Sequence, residues 1–224
     1  MTGEANESPK IPVSEALLAV IASLLLSMFL AGSIASLNYG VAMVARELLL
    51  AVVPLGYMLS KGIDIKKYIG LELNPRNLLL GVTIGSLLVY FDLAIMIALT
   101  SLFGPSKAVE ESNRRISEMI GSADGLFFVA ATLISAGIFE EFTFRGFLQT
   151  AIGSKYSPWT ALVASAFAFG LLLHFDPQGV YTIAAFLIGL VLGFVYYRWR
   201  SYTVCASAHA TLNIIILILS VLER

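Results

Sequence analysis

The stretch Ile138-Phe139-Glu140-Glu141-Phe142-Thr143-Phe144-Arg145-Gly146 places three charges inside a long apolar run. Charge in such a run is costly, so each of these residues is a functional hypothesis. Glu141 and Arg145 stand four apart with the acid N-terminal, the favourable order for a helical ion pair. Pairing lowers the cost of burying Glu141. Glu140 lies about 100° around the helix and faces elsewhere. One carboxylate can then serve structure and the other chemistry, because a positioned carboxylate is a usable general base. The chain has two histidines, His174 and His209, both in apolar runs, and Asn213 shares a helical face with His209. A lone membrane histidine is more often a bond between helices than a catalyst. Two histidines, an asparagine and an acidic pair, in a chain with 13% charged residues, point instead to a shared polar site.

The elements that must position these residues are membrane spans. The 224 residues are 58% hydrophobic with a mean hydropathy of +0.86. Apolar blocks of spanning length recur, so the expected fold is an all-α, polytopic transmembrane helical bundle. Seven spans, or eight, are expected; the seven run at about 14–36, 42–60, 77–103, 125–150, 158–175, 179–198 and 203–222, each near the ~20 residues that cross a bilayer. Residues 1–13 form a polar N-terminal tail and 14–224 a single transmembrane domain. The first apolar block is too long for a signal-peptide core and is read as a retained span. Lys and Arg are commoner in the segments that a cytoplasmic N-terminus would place inside, Lys61, Lys66, Lys67, Arg76, Arg198 and Arg200 among them. The reading is an integral multi-pass membrane protein with its N-terminus in the cytoplasm. The near-neutral charge gives no sign of nucleic acid, and one cysteine, Cys205, excludes an internal disulfide.

Other polar features read as follows. Arg46 and Glu47 lie near the start of the second span, where they can snorkel to the interface. Asp92 sits in the middle of the third; it can bond a neighbouring helix, stay protonated or join a site. Segment 104–124 is either a short interfacial helix, with Val109, Ile116, Met119 and Ile120 on one face, or a solvated loop. Counting ~1.5 Å per residue from the turn near Ser154 puts Glu140 and His174 at similar depth. His209, a few residues past the Arg198–Arg200 turn, comes out shallower.

These residues resemble the three motifs of the CAAX prenyl-protease and bacteriocin-processing (CPBP, or Abi) family of intramembrane proteases. EExxxR reads Glu140-Glu141-Phe142-Thr143-Phe144-Arg145, and HxxxN reads His209-Ala210-Thr211-Leu212-Asn213. The order of the motifs also fits, and YIGLELNPRNLLLG (68–81) is similar to the segment leading into a middle span. The motif region covers about 125–216. FxxxH is altered: Phe169 precedes His174 by five residues, which turns Phe169 off the histidine's face by ~100° unless a π-bulge absorbs the insertion.

The resemblance implies an endopeptidase acting in or near the membrane. Glu140 and His174 would position and activate a water. His209 and Asn213 would stabilise the oxyanion, and Glu141 with Arg145 would support the site. The implied partners are the lipid bilayer and a peptide or protein substrate, either prenylated or membrane-embedded. No cofactor is favoured. Zinc is the alternative, with Glu140, His174 and His209 as three ligands. Two competing readings are a proton-coupled transporter, since intramembrane acids and histidines also mark proton relays, and a non-catalytic membrane scaffold or immunity protein.

Overall fold

A computed structural model describes residues 10–223. Most of the polar N-terminal tail, residues 1–9, lies outside the described residues. Among the described residues every regular element is helical: α1 (Val13–Ala35), α2 (Tyr39–Ser60), α3 (Ile65–Ile69), α4 (Pro75–Phe103), α5 (Lys107–Met119) and α6 (Ala123–Glu141) come first. A π-helical segment (Phe142–Gln149) and α7 (Thr150–Gly153) continue α6 without a break. Then follow α8 (Pro158–Ala168), a second π segment (Phe169–Leu173), α9 (Val180–Trp199) and α10 (Tyr202–Leu222).

The starts of these helices are written locally. Asn38, Asp64, Asn74, Ser106, Ser122, Ser157 and Ser201 each accept the backbone N–H three residues on, the bond that an N-cap supplies. Pro75 and Pro158 occupy first-turn positions, where a missing N–H costs nothing.

Six helices are long and apolar enough to cross a membrane. They correspond to six of the seven expected spans. The fifth, Pro158–Leu173, is a shorter apolar helix, because its π segment stops at Leu173. The amphipathic alternative holds for segment 104–124. There α5 turns Ile116 and Met119 onto a small cluster with Ile120, Val129 and Leu217, while Glu111, Arg114 and Arg115 pair on its outer side.

In the bundle α1 packs on α2, α2 on α6, α6 on α10 and α10 on α4, while α9 packs on α8, α4 and the second π segment. Many large apolar side chains point outward, such as Leu18, Phe29, Leu87 and Ile97. In a bilayer that surface meets acyl chains instead of water, and each span satisfies its own backbone. At the α6–α10 crossing, a Cβ on Gly137 would stand 2.5 Å from the backbone nitrogen of Ala210. Only glycine allows the two helices to approach this closely, and both carry residues of the polar site. The interior is dominated by Phe144, Phe147, Leu148 and Leu192, all fully buried. Cys205 is buried with them and its Sγ donates to the Leu192 carbonyl at 3.6 Å.

Candidate active site

The last turn of α6 carries both acids inward. Arg145 and Glu141 are fully buried and joined at 2.8 Å between Nη1 and Oε1. The guanidinium also donates to the Gly189 carbonyl on α9 at 3.2 Å and lies over the Phe169 ring, 4.4 Å from its centroid. One turn on, Gln149 repeats the pattern by donating to the Gly193 carbonyl at 2.9 Å. These two bonds lock the π segment to α9. Within that segment Thr143 donates to the Leu50 carbonyl and Ser165 donates to the Phe144 carbonyl. The wider π winding is thus held by side chains from three directions, and such segments often occur at functional sites.

Glu141 Oε1 also meets His209 Nδ1 at 2.9 Å. A carboxylate only accepts, so Nδ1 carries the proton and the ring is oriented with Nε2 outward. That Nε2 faces Glu140 Oε2 at 3.9 Å, and His174 Nε2 faces the same oxygen at 3.5 Å. Both separations are longer than a formed hydrogen bond. The structure therefore brings Glu140, Glu141, Arg145, His174 and His209 into one cluster from four elements. Asn213 lies one turn beyond His209 on α10, half-buried, and donates Nδ2–H to the Leu133 carbonyl at 3.0 Å. Its amide has a second hydrogen that this bond leaves unused.

The shallow position expected for His209 is overturned. The turn before α10 is itself buried: Ser201 is almost inaccessible, and Tyr202 N–H donates to the Gly70 carbonyl. The segment 61–74 packs on that turn through Gly70, and His209 reaches the level of Glu140. For Phe169 and His174 the π-bulge alternative holds. The second π segment takes up the extra residue, and the two rings meet edge to face with centroids 4.6 Å apart. Tyr181 closes the other side of His174 at 5.2 Å.

The loop after His174 is equally specified. Thr182 Oγ1 donates to the His174 carbonyl and accepts from Asp176 N–H. Asp176 in turn accepts from the backbone N–H groups of Gln178 and Tyr181. Burial pushes the Asp176 carboxyl up, but these N–H bonds, with Ser106, outweigh it and hold the group below its usual range.

Glu47 is the residue that sequence reasoning misplaced. It does not snorkel to an interface: it is 3% exposed on α2, with its carboxyl 3.8 Å from Arg46 Nη1. The residue at i+1 from Arg46 points inward because α2 packs on α6 here; only an intramembrane acid near a second one hinted at this. Asp92, on α4, is half-buried. Among the described residues no group of three or more His, Cys, Asp or Glu side chains is arranged as a metal site.

Fold and site together define an integral multi-pass membrane protein with a buried acid–histidine cluster. Residues 122–215 match the family model described as type II CAAX prenyl endopeptidase Rce1-like, a range that includes Glu140–Arg145, His174 and His209–Asn213. Over the segment that builds the site the chain is thus similar to CAAX-protease-like intramembrane endopeptidases. No curated protein and no solved structure matches it.

Proposed function

We propose that this protein is an endopeptidase of the type II CAAX prenyl protease kind, with residues 14–224 as one transmembrane unit and 125–216 as its catalytic region. The observation that carries the reading is the Glu140 carboxyl flanked by the Nε2 atoms of His174 and His209, at 3.5 and 3.9 Å, in a buried setting. Glu140, aided by His174, takes a proton from water as the oxygen adds to the scissile carbonyl carbon. The oxyanion is received by Nε2–H of His209, in its doubly protonated form, and by the unused amide hydrogen of Asn213. Collapse of the tetrahedral intermediate breaks the C–N bond, and Glu140 returns its proton to the departing nitrogen. Glu141 and Arg145 support the site through the His209 ring. The substrate is a membrane-associated peptide, prenylated or embedded, and the bilayer is the medium in which it arrives. The basic segments favour a cytoplasmic N-terminus.

The test uses purified protein in proteoliposomes, offered prenylated CAAX peptides and a panel of membrane peptides. The wild type should cleave at least one, and Glu140→Gln, with the same thermal stability, should abolish cleavage. Folded wild-type protein that cleaves none, or a Glu140→Gln variant that cleaves normally, would overturn the reading.

A further inference from the structure

A second polar feature lies apart from the acid–histidine cluster, where α7, α8 and the end of α9 meet. A cavity of about 380 Å³ opens there, a size within the range of small-molecule sites. Gln149, Thr150 and Tyr196 form its floor, and Ser154, Tyr197 and Arg200 its exposed rim. Arg200 is the one charged residue of the lining. Its guanidinium lies over the Tyr196 ring, 5.4 Å from the centroid, and among the described residues no carboxylate pairs with it. Its backbone is left-handed, with a φ of 48°, a conformation in which a helix end favours glycine. The arginine stands there against the backbone's preference and places a cation at the cavity mouth. At the floor, Gln149 Nε2 serves the Gly193 carbonyl, while Oε1 is buried with no hydrogen-bond partner. The Thr150 and Tyr196 hydroxyls bond one another at 2.8 Å and also reach the Arg145 and Ile69 carbonyls, so their protons are already used. The cavity thus asks for an anion at its mouth and a hydroxyl donor at its floor.

The surroundings decide what kind of molecule carries both. Trp159, Tyr197 and Trp199 are exposed at this end of α8 and α9, as aromatic residues are at a bilayer surface. Tyr197 lies against Trp159, with 5.8 Å between ring centroids, and Trp159 stacks on Phe194 at 6.2 Å. This exposed row leads from the cavity mouth along the lipid-facing side of α9. Acyl chains can cover it, and a soluble anion cannot. We propose that the cavity binds the headgroup of an anionic, hydroxyl-bearing phospholipid. The phosphate pairs with Arg200, a headgroup hydroxyl donates to Gln149 Oε1, and the acyl chains lie along Tyr197, Trp159 and Phe194. Basic pockets between spans take anionic headgroups in this way. The bound lipid ties the α7–α8 turn to the end of α9, whether or not the protein is a protease.

The test titrates the full chain in detergent with phosphatidylglycerol, phosphatidylethanol, phosphatidylcholine and glycerol phosphate, and counts bound molecules by native mass spectrometry. Phosphatidylglycerol should bind roughly 10-fold tighter than phosphatidylcholine, the worth of one charge-assisted hydrogen bond. Phosphatidylethanol has the same charge without the headgroup hydroxyls and should bind several-fold weaker than phosphatidylglycerol. Arg200→Gly should fold, because the left-handed position suits glycine, and should bind phosphatidylglycerol and phosphatidylcholine alike. Arg198→Gln removes an equal charge outside the cavity and should keep the preference. Equal binding of those two lipids by the wild type, or an undiminished preference in folded Arg200→Gly, overturns the proposal. A matching loss in Arg198→Gln would show general attraction to anionic lipid and overturn the site. Equal binding of phosphatidylglycerol and phosphatidylethanol would overturn the role of Gln149. Glycerol phosphate that binds as tightly as phosphatidylglycerol would make the cavity a site for a soluble phosphate and overturn the lipid.

Discussion

Arg145 touches four things at once: the Glu141 carboxylate, the Gly189 carbonyl, the Phe169 ring and, through Glu141, the His209 ring. A guanidinium can serve all of them because it is flat, forked and always charged. Removing it leaves Glu141 buried with only the His209 ring beside it, and breaking a buried pair costs about 3–5 kcal/mol. Arg145→Leu should therefore lower the unfolding free energy by that order, measured by denaturation in detergent. It should also release the His209 ring. Arg145→Lys should recover only part of the loss, since an ammonium cannot reach Glu141 and Gly189 in the same plane. An unchanged denaturation midpoint in Arg145→Leu would show that the His209 ring alone offsets the buried Glu141 carboxylate.

Among the elements, the second π segment sets the direction of His174. The extra residue between Phe169 and His174 is wound into the π turn, so both rings stay on one face. Deleting Leu172, which points outward, should convert that turn to α-helix with four-residue spacing and keep the rings together. Activity should survive. Deleting Val163 in the α-helical part of α8 has no π turn to absorb it and rotates everything downstream by about 100°. Activity should then fall at least ~100-fold, as misplaced catalytic groups do. Cleavage assays on both deletions check the contrast; loss in the Leu172 deletion would mean the π turn is required in its own right. The loop beyond His174 adds a pH effect. The folded pKa of Asp176 is depressed, so its stabilisation is present above its unfolded pKa of about 3.9. That contribution is lost as pH falls through the lower folded value. Asp176→Asn should flatten the acid limb of a stability–pH curve, read by thermal unfolding.

For the whole molecule, the outward apolar surface and six spanning helices make detergent or lipid obligatory. The proposed orientation puts the α2–α4 connection, rich in lysine, in the cytoplasm, and α5 on the other side. Single cysteines introduced at Lys66 and at Arg115, with Cys205 replaced, should label differently with an impermeant thiol reagent on intact cells. Arg115 should react from outside and Lys66 only after lysis. The reverse pattern would invert the topology and leave the buried site unchanged.

Membrane class, the spans, the helix caps and the ion pair of Glu141 with Arg145 follow from local sequence, because they depend on composition over ~20 residues or on neighbours one helical turn apart. The two histidines were legible for the same reason: a polar group in an apolar run stands out against its own surroundings. Tertiary packing alone decided the rest. Residue counting placed His209 too shallow, since nothing local says that segment 61–74 packs on the turn before α10. Helical phase left Phe169 and His174 open between α winding and a π-bulge, since winding changes only where Arg145 and α9 hold the segment. Glu47 looked interfacial until α2 was packed on α6. Depth, winding and the partner of a buried acid are set by contacts between helices distant in sequence, and those contacts are what make Glu140 the centre of the site.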